Sequence, residues 1–134
     1  MKELTLQATI GNMQSVIDWL DQQLEEMECP IKAKLQLDVA VDELFSNIAN
    51  YAYADATGQA TICLEKLDRP AIRVTFVDRG IPYDPLKKED PNTKLSAEDR
   101  EIGGLGIYMV KKSMDEVTYR YQNGQNILTI VKNI

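Results

Sequence analysis

The chain has 134 residues, 44% apolar and 27% charged, which suits one globular domain with a real core and excludes a disordered or low-complexity polymer. It contains no histidine, so imidazole bases, imidazole metal ligands and a phosphohistidine on this chain are excluded. Its two cysteines, Cys29 and Cys63, are too few for a four-cysteine zinc site and too far apart for a Cys-x-x-Cys pair.

Fifteen basic against 21 acidic residues give a net charge of −6, which opposes binding to a nucleic acid backbone. The segment MKELTLQATIGNMQ has no apolar h-region, and no apolar run approaches the ~20 residues of a bilayer span. A cytoplasmic protein with no membrane partner is expected.

In chain order, Leu4, Leu6 and Ala8 alternate with polar residues and predict a half-buried strand over residues 3–9. Asn12 is a candidate cap for a helix carrying Met13, Val16, Ile17, Leu20, Leu24 and Met27 on one face. Pro30 opens a second helix whose apolar face, Leu37, Ala40, Val41, Leu44, Ile48 and Ala52, runs to about Tyr53. Residues 60–65 and 71–77 read as a hairpin closed by Leu67-Asp68-Arg69-Pro70. From Ile81 to Glu101 prolines and charges suggest a long loop with at most a short helix. Glycines then open a helix bearing Ile107, Val110 and Met114, and Asn123-Gly124 joins a last hairpin of residues 117–122 and 126–131. Antiparallel pairs with three helices imply one domain over residues 1–134, an α+β two-layer sandwich with a mostly antiparallel sheet and helices on one face.

Three places could carry chemistry. Glu43 and Asn47 are four residues apart, share the edge of the second helix's apolar stripe, and offer a carboxylate base and a hard amide ligand suited to Mg2+. They also read as an ordinary solvated pair. Asp78 emerges where an apolar strand stops, with Gly80 allowing close backbone approach, and can accept a hydrogen bond from an exocyclic amine such as adenine's. An ordinary Asp-x-Gly turn is the plain alternative. Gly103, Gly104 and Gly106 begin a helix whose unpaired N–H groups suit phosphate, although the motif is neither a Walker loop nor a dinucleotide fingerprint. Lys87, Lys88, Lys94 and Arg100 precede it as possible phosphate neutralisers or as solvated charges.

The order of these elements resembles the GHKL (Bergerat) ATP-binding fold of gyrase-type, heat-shock-chaperone-type, histidine-kinase and MutL-type ATPases. The motifs Glu43-Leu44-Phe45-Ser46-Asn47, Asp78-Arg79-Gly80-Ile81-Pro82-Tyr83-Asp84-Pro85, Glu101 to Val110 and Asn126-Ile127-Leu128-Thr129 are similar to those of the bacterial anti-sigma-factor serine/threonine kinases. Tyr51 stands where many relatives carry histidine, and Pro82, where the wider superfamily has glycine, is usual in the anti-sigma branch. The resemblance implies ATP and Mg2+ as cofactors, Glu43 as general base and Asn47 as Mg2+ ligand. It implies that Asp78 and Thr129 hold adenine, directly or through water, that Gly80 lets the ring approach, and that Gly103, Gly104 and Gly106 meet the phosphates. It further implies a kinase acting on a small anti-sigma antagonist protein, a sigma factor as second partner, and a homodimer paired through the sheet region. A nucleotide-gated interaction module without phosphoryl transfer is the alternative. The catalytic half of a histidine kinase is a third reading, which this chain cannot complete internally.

Overall fold

Alternation in the strand segments builds one antiparallel sheet in the order β1-β2-β3-β5-β4. The strands are β1 Lys2–Gln7, β2 Gln59–Lys66, β3 Ala71–Asp78, β4 Glu116–Gln122 and β5 Gln125–Asn133. Three helices, α1 Met13–Glu26, α2 Ile31–Asn47 and α3 Gly104–Ser113, complete the computed structural model, which describes residues 1–53, 57–87 and 104–134. Among those residues no helix is long and apolar enough to cross a membrane.

The inward-facing set of the sheet, including Ile62, Leu64, Val74, Phe76, Leu128 and Ile130, is buried against the three helices. Val16, Leu20 and Leu24 come from α1, Leu37, Val41, Leu44 and Phe45 from α2, and Ile107 and Val110 from α3. Each large side chain so buried contributes about 1.5–3 kcal/mol. The opposite sheet face is polar. Thr5 and Thr61 share a hydroxyl hydrogen bond of 2.9 Å, and Thr75, Thr129 and Thr118 form a row across β3, β5 and β4. This is the expected two-layer α+β arrangement with its helices on one face.

The Asn123-Gly124 signal is realised as a two-residue turn with φ of 55° and 75°, both left-handed as a type I′ hairpin requires. Two expectations change. Asn12 makes no capping hydrogen bond, because the 3₁₀ turn Ile10–Asn12 leads into α1, and its Nδ2 instead donates to the Gln7 carbonyl at 2.8 Å. The second helix leaves α-geometry at Asn47 and continues as a π-helical turn, Ile48–Ala52. The expected loop Ile81–Glu101 is described as far as Lys87, with a 3₁₀ turn at Pro85–Lys87. Its remainder, with Lys88, Lys94 and Arg100, lies outside the described residues, as does Gly103.

Between α1 and α2, Lys34 Nζ lies 3.4 Å from Asp21 and 3.6 Å from Asp38. Burial first, then the hydrogen bond and charge of Asp21, push the Asp38 carboxyl up to about 7 against the opposing effect of Lys34. The folded chain thus holds a proton that the unfolded chain, with an ordinary Asp near 3.9, has released between about pH 4 and 7. This contribution to stability is fully present below the unfolded value and is lost as pH rises through about 7. Asp38→Asn is expected to flatten thermal stability between pH 5 and 8 and to raise the pH 8 midpoint by about 2–4 °C, read from unfolding curves at each pH.

Candidate functional site

The two central strands end together, and their register pairs Asp78 with Asn126. Both share the inward parity of Phe76 and Leu128, so both point under the helices, where they are 6% and 5% exposed. Here a cleft of about 430 Å³, mouth included, opens between the sheet and the end of α2. Its walls are mostly apolar: Leu44, Ile48 and Ala52 on the helix side, Phe76 and Leu128 on the sheet, Ile81, Tyr83 and Pro85 on the loop after β3. A flat heteroaromatic ring fits such walls.

Polar groups at its floor are tightly matched. Asp78 Oδ1 accepts from the Gly80 N–H at 2.9 Å and from Asn126 Nδ2 at 2.9 Å. The same Nδ2 donates to the Ile81 carbonyl at 2.9 Å, while Asn126 Oδ1 accepts from the Tyr83 N–H at 3.1 Å and from the Tyr119 hydroxyl. Burial pushes the Tyr119 hydroxyl above the usual phenol value, with the Asp84 and Asp78 charges adding to it against a hydrogen bond from the Tyr83 backbone. It therefore remains a donor at neutral pH. Asp78 lines the cleft, and its Oδ2 makes no hydrogen bond among the described residues, which leaves it available as an acceptor.

The π-helical turn sets the wall opposite. A wider turn after Asn47 brings the Ala52 carbonyl to accept from the Ile81 N–H at 2.8 Å, which ties the loop after β3 to the end of the helix. Gly80 packs directly on this joint, and a Cβ there would overlap the Ala52 carbonyl. Its small size is needed for that close approach; the residue stands beside the cleft and not in its lining. Tyr53 reinforces the joint by accepting from the Arg79 N–H at 2.9 Å and donating to the Gln59 carbonyl at 2.5 Å. The loop after β3 is held as far as Lys87: Pro85 is buried and Leu86 packs on the core.

Toward the amino end of α3 the cleft changes character. Asn47 lines it, and Asn47 Nδ2 is buried with no hydrogen bond among the described residues. Glu43, one turn earlier, lies against Gly106, where any Cβ would overlap its carboxylate. The structure thus brings Glu43, Asn47 and the first turn of α3, which starts at Gly104, to one end of a cleft whose other end is Asp78. Thr129 is not part of it. Side chains alternate along β5, so Thr129 faces outward between inward Leu128 and Ile130, opposite Thr75 and Thr118. The adenine role implied for Thr129 is corrected on that ground.

A family model described as a histidine kinase-like ATPase domain matches residues 6–132. The chain belongs to that family. It is similar to the serine/threonine-protein kinase BtrW of Bordetella bronchiseptica, 23% identical over 130 residues that span 97% of this chain and 92% of that protein. It is also similar to the serine-protein kinase RsbW of Oceanobacillus iheyensis, 32% identical over 102 residues, 69% of this chain and 61% of the relative. A solved structure of the RsbU and RsbW domains of a Mycobacterium tuberculosis protein superposes with a TM-score of 0.64 at 17% identity, over 99% of this chain and 32% of that one. A blue-light-activated histidine kinase domain from Erythrobacter litoralis gives 0.55 at 16%, over 78% and 46%. These two likenesses show a shared fold.

In this histidine kinase-like ATPase domain the residues fit a phosphate-bound Mg2+. The unsatisfied Asn47 amide can present Oδ1 in place of Nδ2 by a half-turn about its last torsion, giving one hard oxygen donor. No group of three or more Asp, Glu or Cys among the described residues could hold a metal. Asn126 and Tyr83 entered only as members of family-like motifs with no role of their own, and Tyr119 and the π-helical turn were not legible beforehand; the further signal for Asn126 was its shared parity with Leu128 and Ile130. Asn126→Ala is expected to cost about 2–4 kcal/mol in urea unfolding, since it strands Asp78, the Ile81 carbonyl and Tyr119. The nearly isosteric Asn126→Asp should cost at least as much, because it sets a second carboxylate against Asp78, and a benign Asn126→Asp would contradict the network.

Proposed function

We propose that this protein is an ATP-dependent serine/threonine protein kinase of the anti-sigma-factor type. It phosphorylates a small antagonist protein and, when not so engaged, holds a sigma factor. The observation that carries the reading is the division of labour on Asp78: Oδ1 is committed to Asn126 and Gly80, and Oδ2 is left as an acceptor at the floor of an apolar slot. Such an acceptor suits the exocyclic amine of adenine, and the slot suits the ring. The full-length likeness to BtrW, a serine/threonine-protein kinase, supports the choice of reaction.

The chain's own groups then divide the work. Asp78 and the apolar walls orient the base. The amide groups at the start of α3 meet the phosphates, aided by the positive end of the helix. Asn47 holds Mg2+, which when bound neutralises phosphate charge and orients the transferred group. Glu43 accepts the proton of the attacking Ser or Thr hydroxyl as its oxygen bonds to the γ-phosphorus and the bond to the ADP oxygen breaks. Its place against Gly106 keeps it beside the first turn of α3.

Asp78→Asn should weaken ATP binding by about 10-fold or more in calorimetry, the scale of one charged hydrogen bond. Glu43→Gln should leave ATP affinity within about 3-fold while transfer of labelled phosphate to an antagonist protein falls by about 10²-fold. An unchanged transfer rate would remove Glu43 from catalysis. ATP binding with no transfer by the unaltered chain would leave the nucleotide-gated module.

The homodimer is part of the same reading. Among the described residues the outer sheet face carries no helix, and its Thr75, Thr118 and Thr129 row with Arg73 and Arg120 lines an open groove. Sedimentation at micromolar concentration should give a dimer, and Thr75→Arg with Thr129→Arg should give a monomer. A monomer from the unaltered chain would end this assignment without touching the cleft.

A further inference from the structure

The solvent side of α2 carries an apolar stripe that serves neither the core nor the cleft. Ile31, Leu35 and Val39 stand at i, i+4 and i+8 and are 70%, 55% and 62% exposed. At 100° per residue they point nearly opposite to Leu37, Val41 and Leu44, and they form a ridge about 12 Å long. Single exposed apolar residues are ordinary, but three stacked on one ridge are a contact surface in form.

Charge on the α1 side of the ridge is mainly acidic, while exposed Lys32 stands on its other side. The Lys34 contacts to Asp21 and Asp38 fix the shoulder of α1 beside this face. Asp18 and Glu25 lie about one turn to either side of Asp21 on that shoulder, and both are exposed. Asp42 continues the acidic rim on α2 and accepts a 3.3 Å hydrogen bond from Ser46. Within the rim Lys34 is held between Asp21 and Asp38, with Asp18, Glu25 and Asp42 further along the two helices, and the chain as a whole carries −6.

We propose that this surface docks a basic amphipathic helix of a partner protein. Its apolar residues lie along Ile31, Leu35 and Val39, and its Lys or Arg residues reach the carboxylates of the rim. Helix-on-helix docking reads an i, i+4, i+8 ridge directly, and opposite charge at the rim selects the partner and speeds encounter. The acidic rim opposes an anionic lipid surface. It also opposes a second copy docked ridge to ridge, which would set the two rims against each other. The inference uses none of the cleft residues, so it stands apart from the kinase reading.

The test is calorimetric titration of the whole chain with designed helical peptides about 18 residues long, one with a leucine stripe and lysines, one with the same stripe and glutamates. The lysine peptide is expected to bind at about 10⁻⁵ M, and the glutamate peptide at least about 10-fold more weakly. Leu35→Ser with Val39→Ser leaves every charge in place and, being on solvent-exposed positions, leaves the helix content and ATP affinity unchanged. It should weaken the lysine peptide by about 10-fold or more. Asp18→Asn with Asp42→Asn should instead reduce the salt dependence of binding. Equal binding of both peptides, undiminished binding to the serine variant, or loss of a dimer in that variant on sedimentation would each overturn the proposal.

Discussion

A buried carboxylate at the end of a central strand is the constraint around which this molecule is arranged. Asp78 is 6% exposed and faces a largely apolar interior, so its charge must be met by donors placed for it. Asn126, its partner in the strand register, is the residue that meets it, with the Gly80 N–H as the second donor. Because Asn126 also bonds the Ile81 carbonyl, the Tyr83 N–H and the Tyr119 hydroxyl, one amide binds β3, β4, β5 and the loop after β3 into a single rigid corner. Networks of this kind are costly when any member is missing, which is why the corner specifies a shape as well as a charge. It is satisfied on one oxygen of Asp78 and open on the other, and that asymmetry turns a structural device into a recognition device.

The second half of the site depends on a change of helical pitch. The last carbonyls of a helix have no partner within it, and the wider π-helical turn after Asn47 sets the Ala52 carbonyl where it meets the Ile81 N–H. Gly80 is then required by contact with Ala52. A glycine of this kind illustrates how one motif residue can serve the scaffold that shapes the site.

What could be read beforehand follows the same division. Strands and helices announced themselves through periods of 2 and 3.6, and Asn123-Gly124 announced a turn whose positive φ values few other residue pairs tolerate. Glu43, Asn47 and Asp78 could be placed because each sits on an element whose apolar parity is plain. Asn126 was harder. Parity with Leu128 and Ile130 marks it as inward, but its role comes from a partner 48 residues away in the sequence, which no local pattern names. Thr129 erred in the opposite direction: a motif proposed it, while the parity of Leu128 and Ile130 around it already assigned it to the outer face. The π-helical turn was invisible because Leu44, Ile48 and Ala52 keep a spacing of four that an ordinary helix would satisfy.

Three environments meet on α2. One side, with Leu37, Val41 and Phe45 fully buried, is locked into the core; a second, with Glu43 and Asn47, borders the cleft; the third bears Ile31, Leu35 and Val39 toward solvent. A shared helix does not by itself couple the cleft to the solvent ridge. Coupling requires that the helix have two arrangements which both ligands distinguish. Shifting α2 would break close-packed contacts along its buried side and the hydrogen bond between Ala52 and Ile81, so a second arrangement is costly. The geometry therefore favours two sites that act on one rigid body largely independently, with nucleotide and docked helix binding close to additively.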